Sequence, residues 1–385
     1  MGGLWVLAGL FVFSLTYALF QGRAPIERML PAERSRFPTG VMVVAMAVGF
    51  GLSAIGTIMF INSTGGFSLD ALSQKRWVAI QGEGGDTVYG GGGYLRMLAG
   101  LSGPLAIFWL CHFLQNRQRS IAASGAVVIL ALSAMALPFF SSGRSGVIFV
   151  VFQLGAAYLC YRKISPVYLA FLATVVLVIF GAMSGLRSTH GASNPLLAAA
   201  SSGNGVSLVA VSHITQRVPE RMEYKYGESY LRWIYSPIPR SVWPGKPELG
   251  LGREIKMKVT HGPEGLETGG RPPGFMGEGY INFGGIGLLM GAALFGVIAK
   301  GAWNTFSPLL GRSAIATTAY MMLFLPISQY SNSGFSELMA RSLVEIISMV
   351  AVIAPVFILY AYFYRSWRRP GAGLGRSIQA EAHSR

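Results

Sequence analysis

Long apolar runs separated by short clusters of basic residues dominate the sequence. The run Gly40–Ile61, for example, has about the 20 residues that a helix needs to cross the hydrocarbon core of a bilayer. The pattern predicts an all-α polytopic membrane protein with about nine transmembrane helices. Helices 1–6 are expected in residues 1–184 and helices 7–9 in residues 278–364.

Polar residues concentrate in two segments outside these runs. Residues 185–277 form one large loop, and residues 365–385 form a basic tail. Basic residues such as Arg162 and Lys163 fall in short loops on one side of the membrane, which the positive-inside rule identifies as the cytoplasm. The N-terminus and the large loop are therefore expected outside and the C-terminus inside. Within the loop, Pro219–Tyr235 fits an amphipathic helix lying on the bilayer.

The composition supports the membrane class and limits the kinds of metal site that the chain can form. Hydrophobic residues make up 52% and charged residues 12%, and the net charge of +15 fits cytoplasmic anchoring loops better than nucleic-acid binding. The aspartates are Asp70 and Asp86 alone, so the chain has no Asp-x-Asp pair. Such a pair commonly holds the cation of a metal-dependent nucleotide-sugar transferase, so we expect neither a metal nor a cofactor.

The stretch from Ser236 to Gly287 combines proline, glycine and charged residues where the loop meets the seventh apolar run. Its prolines fix φ and prevent a regular helix around Arg240 and Lys246. Arg271 precedes a rigid Pro-Pro-Gly turn. Glu278 follows that turn at the mouth of a predicted helix, where a carboxylate is costly unless it has a partner or a function.

Two segments of this stretch, IPRSVWPGKP and RPPGFMGEGYINFGGIG, resemble the signature of bacterial O-antigen and exopolysaccharide repeat-unit polymerases, the Wzy-type family. The resemblance implies a GT-C-like fold in the bacterial inner membrane, with the large loop in the periplasm. It implies a glycosyltransferase that joins polyprenyl-pyrophosphate-linked oligosaccharide repeats with inversion and without a metal. The implied partners are the lipid-linked donor and acceptor and membrane lipids, with a chain-length regulator as a further candidate.

Cationic side chains on the predicted outer side are candidates for binding the donor pyrophosphate. Arginine offers a charged planar fork that matches phosphate oxygens. The candidates are Arg144, Arg187, Arg240, Lys246, Arg271 and Arg341. Headgroup binding is the alternative for the group, and a structural ladder with Glu337 and Glu345 is a further alternative for Arg341. Arg240 and Arg271 are also candidate catalytic residues.

Glu278 is the candidate general base, and the alternative is a structural partner of Arg271 or Arg240. Histidine is the usual base near neutral pH. His190, His213 and His261 lie in the predicted outer loop, but none has a second motif element beside it. Their sequence context favours an ordinary surface role.

Three other functions compete with the polymerase. An O-antigen ligase would transfer the same donor to another acceptor and would give His261 greater importance than Glu278. A transporter of lipid-linked sugars would have paired halves and discontinuous helices at the midplane, and the sequence indicates neither. A structural assembly partner would not need so asymmetric and motif-rich a loop.

Overall fold

The computed structural model describes a chain in which all regular secondary structure, within the described ranges, is helical. Those ranges are 2–25, 39–63, 95, 98–116, 121–140, 144–163, 206–238, 242–260, 271–330 and 333–340, with scattered residues between 165 and 174 and between 342 and 358. The remaining residues lie outside the description that follows.

Ten α-helices are labelled here in chain order. They are α1 (Gly2–Leu19), α2 (Thr39–Ser63), α3 (Ser102–Gln115), α4 (Ile121–Phe140), α5 (Arg144–Tyr161), α6 (Val206–Arg217), α7 (Glu228–Leu231), α8 (Gly252–Ile255), α9 (Gly274–Phe306) and α10 (Ala314–Gln329). Short 3₁₀ or π turns follow α7, α8 and α9 at Arg232–Tyr235, Lys256–Thr260 and Ser307–Leu309. Residues 335–340 are also helical.

Four helical stretches are long and apolar enough to cross a membrane, so the chain is a multi-pass membrane protein. They are Gly2–Leu19, Val43–Asn62, Ile121–Phe139 and Gly274–Leu309. Gly146–Tyr161 and Ala314–Gln329 are shorter apolar helices. The predicted sixth and ninth spans fall mostly outside the described residues, so the count of about nine stays a prediction.

The helices pack in two groups. In the first group, α2, α4, α5 and α10 surround α3, whose buried side chains include Leu105, Phe108 and Trp109. In the second group, α1 and α6 pack against α9. Contacts between α9 and α10 join the two groups.

Helix α1 runs parallel to the second part of α9. Along the chain, Trp5 packs on Gly285, Gly9 faces Leu288, and the carbonyl of Phe13 approaches Gly296. Near the other end, Asn304 Nδ2 donates a hydrogen bond to the carbonyl oxygen of Phe20. The N-terminal end of α1 also contacts Ser212 of α6. The N-terminus therefore lies at the same end of the bundle as the described part of the large loop, as the predicted topology requires.

Helix α9 is a hairpin rather than one continuous helix. Phe283 and Gly284 leave helical geometry, and Gly284 has a φ of 64°, a value that glycine adopts readily. A Cβ built on Gly291 would lie 2.8 Å from the carbonyl oxygen of Phe275. A continuous helix would separate these two residues by about 24 Å. The arm 274–282 therefore folds back along the helix that begins at Gly285.

The hairpin gives the glycines of this segment a specific role. In the structure, Gly279 and Gly287 face each other across the hairpin, and a Cβ on either one would overlap the other's carbonyl oxygen. The small residues thus allow two arms of the same segment to touch, and the long apolar helix of the seventh predicted span begins after the bend at Gly284.

We predict that Gly287→Ala destabilises the protein, because the added methyl group must force the hairpin arms apart. Overpacking of this kind typically costs about 1–3 kcal/mol. Gly125→Ala in α4 is the matched control, because a Cβ there meets nothing within 4 Å. Thermal unfolding of the purified variants in detergent provides the measurement, and equal midpoints for the two variants would contradict the hairpin.

Candidate functional site

Glu278 lies in the hairpin arm and is 1% exposed, the most deeply buried carboxylate among the described residues. Its Oε1 accepts a hydrogen bond from Ser229 Oγ at 2.8 Å, and its Oε2 accepts one from the backbone N–H of Phe335 at 2.5 Å. Ser229 belongs to α7 of the large loop, and Phe335 begins the helical residues 335–340. One side chain thus joins three segments that are far apart in sequence.

Asn282 completes this arrangement from the next turn of the same arm. Its Nδ2 donates to Ser229 Oγ at 2.7 Å and to the carbonyl oxygen of Glu278 at 2.8 Å. Its Oδ1 accepts from the backbone N–H of Gly227 at 2.8 Å. The loop is therefore fixed to the hairpin by buried polar contacts whose partners are satisfied. We call Ser229, Glu278, Asn282 and the Phe335 N–H the Glu278 cluster.

Ser336 strengthens the same junction. Its hydroxyl donates to the carbonyl oxygen of Ser229 and accepts a hydrogen bond from the backbone N–H of Trp233 at 3.2 Å. Tyr230 packs edge-on against Phe335, with ring centroids 5.6 Å apart. The start of helix 335–340 is thus held against both α7 and the turn that follows it.

A network of charges lies beside this junction around Arg232, which is 5% exposed. The guanidinium donates to Glu228 Oε1 at 3.0 and 3.2 Å and to the carbonyl oxygen of Glu248 at 3.0 Å. Glu254 lies 3.9 Å from Arg232 Nη2 and pairs with Lys225 at 2.8 Å. The buried cation is therefore compensated by carboxylates and a carbonyl of the loop itself.

The ionisation of Glu254 reflects this network. Burial acts to raise the pKa of its carboxyl, but hydrogen bonds from Lys225 and Lys258 outweigh that effect and hold the pKa below its usual value. Glu254 is therefore charged at neutral pH. It links α8 to the chain around α7, which makes the described part of the loop one packed unit.

In the described structure Glu278 makes structural contacts, because both of its oxygens accept hydrogen bonds from the protein. A general base must also come within hydrogen-bond distance of the substrate proton, so the role of Glu278 as the base stays a prediction. The partners differ from those expected, because no ion pair joins Glu278 to an arginine within the described ranges. Arg240, one expected partner, lies outside them.

Two of the other predicted site residues, Arg271 and Lys246, have described side chains. Arg271 is half-buried directly before the hairpin, and its backbone N–H donates to the carbonyl oxygen of Gly252 at 2.7 Å. Lys246 Nζ donates to the carbonyl oxygens of Ser236 and Ile238 at 2.8 and 2.9 Å. Lys246 therefore has a structural role at the end of the Arg232–Tyr235 turn.

The side chains of the remaining cationic candidates lie outside the described part of the chain. Arg144 begins α5, but its side chain is outside the described part of the chain. Arg187, Arg240 and Arg341 lie outside the described residues altogether. The gathering of arginines around a pyrophosphate stays a prediction.

The sequence did not indicate Ser229, Asn282 or Arg232 as site residues. The spacing of four residues between Glu278 and Asn282 places them on one helix face and could have suggested a polar pair. Nothing local connects Ser229 to either residue, because the contact spans 49 positions in the chain. In the sequence Arg232 looks like an ordinary surface arginine, and its burial is evident only in the folded structure.

We predict that Glu278→Gln keeps most of the stability of the protein while Glu278→Leu loses it. Glutamine retains an acceptor for the Phe335 N–H, and its amide can donate to Ser229 Oγ. Leucine leaves the part-buried Phe335 N–H and the hydroxyl proton of Ser229 without this acceptor, and a buried group left unsatisfied costs about 1–3 kcal/mol. Thermal unfolding and folded yield provide the measurement. A Leu variant as stable as the parent protein would show that the cluster does not hold the loop.

Comparison with known proteins gives a partial match. The chain is 30% identical over 171 residues to proteins named O-antigen polymerase from Salmonella typhimurium and Salmonella typhi. The match covers 42% of this chain and 39% of each relative, so less than half of either protein is aligned. No family model matches the chain, and no solved structure matches it. The predicted resemblance to O-antigen polymerases is confirmed by this similarity.

Proposed function

We propose that this protein is a Wzy-type polymerase that joins polyprenyl-pyrophosphate-linked oligosaccharide repeat units at the periplasmic face of the bacterial inner membrane. The observation that carries the proposal is the 30% identity to O-antigen polymerases over 171 residues. In this proposal the N-terminus and the large loop are periplasmic and the C-terminus is cytoplasmic. A GT-C-like arrangement and a chain-length regulator as partner belong to the same proposal.

The geometry of the loop supports this function. The Glu278 cluster fixes the described part of the loop to the hairpin, at the end of the bundle where α1 begins. A polymerase of lipid-linked sugars needs a rigid polar surface at such a place, because the reacting pyrophosphate lies at the membrane surface while its lipid tail stays in the bilayer. Rigid placement of the reacting groups is itself a large source of catalysis.

The proposed reaction is a single displacement. A hydroxyl of the acceptor repeat attacks the anomeric carbon of the donor glycan, and the bond from that carbon to the pyrophosphate oxygen breaks. Polyprenyl pyrophosphate leaves with the bonding electrons, and the anomeric centre inverts. Arg271 and the other candidate arginines would stabilise the charge that develops on the leaving group. The reaction as proposed requires neither a metal nor a cofactor.

Glu278 has a positioning role in this proposal. It holds α7 and the hairpin in register, while the proton of the attacking hydroxyl passes to water or to an oxygen of the departing pyrophosphate. Glu278→Gln is therefore expected to remain an active polymerase, since it preserves the junction.

We predict that the purified protein, reconstituted with the lipid-linked repeat unit of its own host in excess chelator, produces a ladder of polymer lengths on a gel. Excess chelator tests the metal independence in the same assay. Transfer of single units to a different acceptor, without a ladder, would identify a ligase instead. Loss of the ladder in chelator, with recovery after addition of magnesium or manganese, would contradict the metal-independent reaction.

We predict that Arg271→Ala lowers the polymerisation rate about 10²–10³-fold, the typical effect of removing one donor that stabilises the transition state. Arg271→Lys should recover only part of the rate, because lysine keeps the charge but loses the bidentate fork. Arg221→Ala is the control, since Arg221 is an exposed loop arginine outside the proposed site. A normal rate for Arg271→Ala at normal abundance would remove Arg271 from the reaction.

A further inference from the structure

The helical segment that begins at α7 exposes apolar side chains along one side. The backbone is helical through α7 and the Arg232–Tyr235 turn, and the N–H of Ile238 continues the pattern by bonding to the carbonyl oxygen of Tyr235. Leu231 and Ile234 are three residues apart, which places them on one side of the 3₁₀ turn, and Ile238 follows at the end of the segment. All three are exposed, with Ile234 at 58%.

The opposite face of the same segment is polar, with Glu228 half-exposed at its start and the next polar residues buried. Ser229 is 1% exposed and belongs to the Glu278 cluster, and Arg232 is 5% exposed inside the charge network. This distribution is the reverse of that in a helix on the surface of a soluble protein, where the apolar face is buried and the polar face is hydrated. The outward face therefore requires an apolar environment.

The residues that follow extend the apolar surface. Val242 is 74% exposed, and Trp243 is exposed beside Tyr235, with ring centroids 5.6 Å apart. Lys246, whose ammonium group binds the carbonyl oxygens at the end of the helical segment, lies close behind Trp243 in the chain. Tryptophan, tyrosine and lysine together are typical of the boundary between hydrocarbon and headgroups. We call Leu231, Ile234, Ile238, Val242 and Trp243 the apolar stripe.

The segment that carries the apolar stripe adjoins the outer surface of the membrane helices. Gly227, directly before α7, approaches the ring of Phe283 at the tip of the hairpin, where a Cβ on the glycine would lie 3.4 Å from Phe283 Cζ. Phe283 is itself exposed, and Ile286 and Met290 continue an exposed apolar face down the candidate span of α9. This exposed apolar surface of α9 thus leads to the segment that carries the stripe.

We propose that the apolar stripe inserts into the bilayer leaflet on the loop side, at the boundary between headgroups and hydrocarbon. The occupant of this surface is lipid, because an exposed apolar face of a candidate membrane span leads to it and because aromatic and basic residues typical of the membrane interface flank it. The amphipathic helix expected at Pro219–Tyr235 is corrected accordingly. Residues 218–227 form turns and irregular chain, and the membrane-binding face begins in α7 and continues beyond Tyr235. The proposal does not depend on the polymerase function.

Spin labels on single cysteines test this insertion in the full-length protein, with the native cysteines replaced by alanine. The protein is reconstituted in vesicles of phosphatidylethanolamine and phosphatidylglycerol. Ile234→Cys and Val242→Cys report on the stripe, and Met290→Cys is the lipid-facing control. Lys258→Cys is the aqueous control, because Lys258 pairs with Glu254 in the charge network beside the polar face of the segment.

We expect labels at Ile234 and Val242 to collide more often with oxygen, which concentrates in hydrocarbon, than with a water-soluble nickel complex, as at Met290. The label at Lys258 should show the opposite preference. Labels at Ile234 and Val242 that behave like the one at Lys258 would overturn the proposal. Strong spin–spin broadening between protomers at Ile234 would also overturn it, because a second copy of the chain would then cover the stripe.

Discussion

A carboxylate buried among helices is stable only when its oxygens are hydrogen-bonded, and the described structure depends on how Glu278 meets this requirement. Its two acceptors are satisfied by Ser229 from the large loop and by the Phe335 N–H from the segment after α10. Separating either segment would leave a buried polar group without a partner, which costs more than the bond itself contributes. The same contacts that satisfy Glu278 therefore hold the loop at one end of the bundle.

The hairpin of α9 makes this arrangement possible because it brings Glu278 under the loop rather than into the middle of a span. Close contact between Gly279 and Gly287 and the left-handed conformation of Gly284 allow the arm to fold back. Irregular backbone of this kind is tolerated in membrane proteins where surrounding protein buries it. Ser229 and Arg232 are committed to this junction, and the same segment directs Leu231, Ile234 and Ile238 outward. The junction and the apolar stripe are thus two consequences of one packing arrangement.

The sequence predicted the helical membrane class well, because apolar runs of bilayer length have few alternatives. It also identified Glu278 as exceptional, since a lone carboxylate at a helix mouth needs an explanation. The hairpin escaped detection because the glycines that form it also fit ordinary helix–helix packing. The discontinuity in α9 does not favour a transporter, since the break lies beside Trp5 near the start of α1 rather than at the middle of the bundle. Ser229 could not be predicted because its contact with Glu278 depends on the complete fold.

A double-mutant cycle between Glu278 and Ser229 tests most directly whether their contact holds the loop to the membrane bundle. Glu278→Ala, Ser229→Ala and the double variant are unfolded at neutral pH, and the free energies of unfolding are compared. A coupling energy of about 1–3 kcal/mol is expected for a buried hydrogen bond to a carboxylate. Ser53→Ala, in a buried contact of the other helix group, should combine additively with Glu278→Ala. Additivity of Glu278→Ala and Ser229→Ala to within about 0.3–0.5 kcal/mol would contradict the junction.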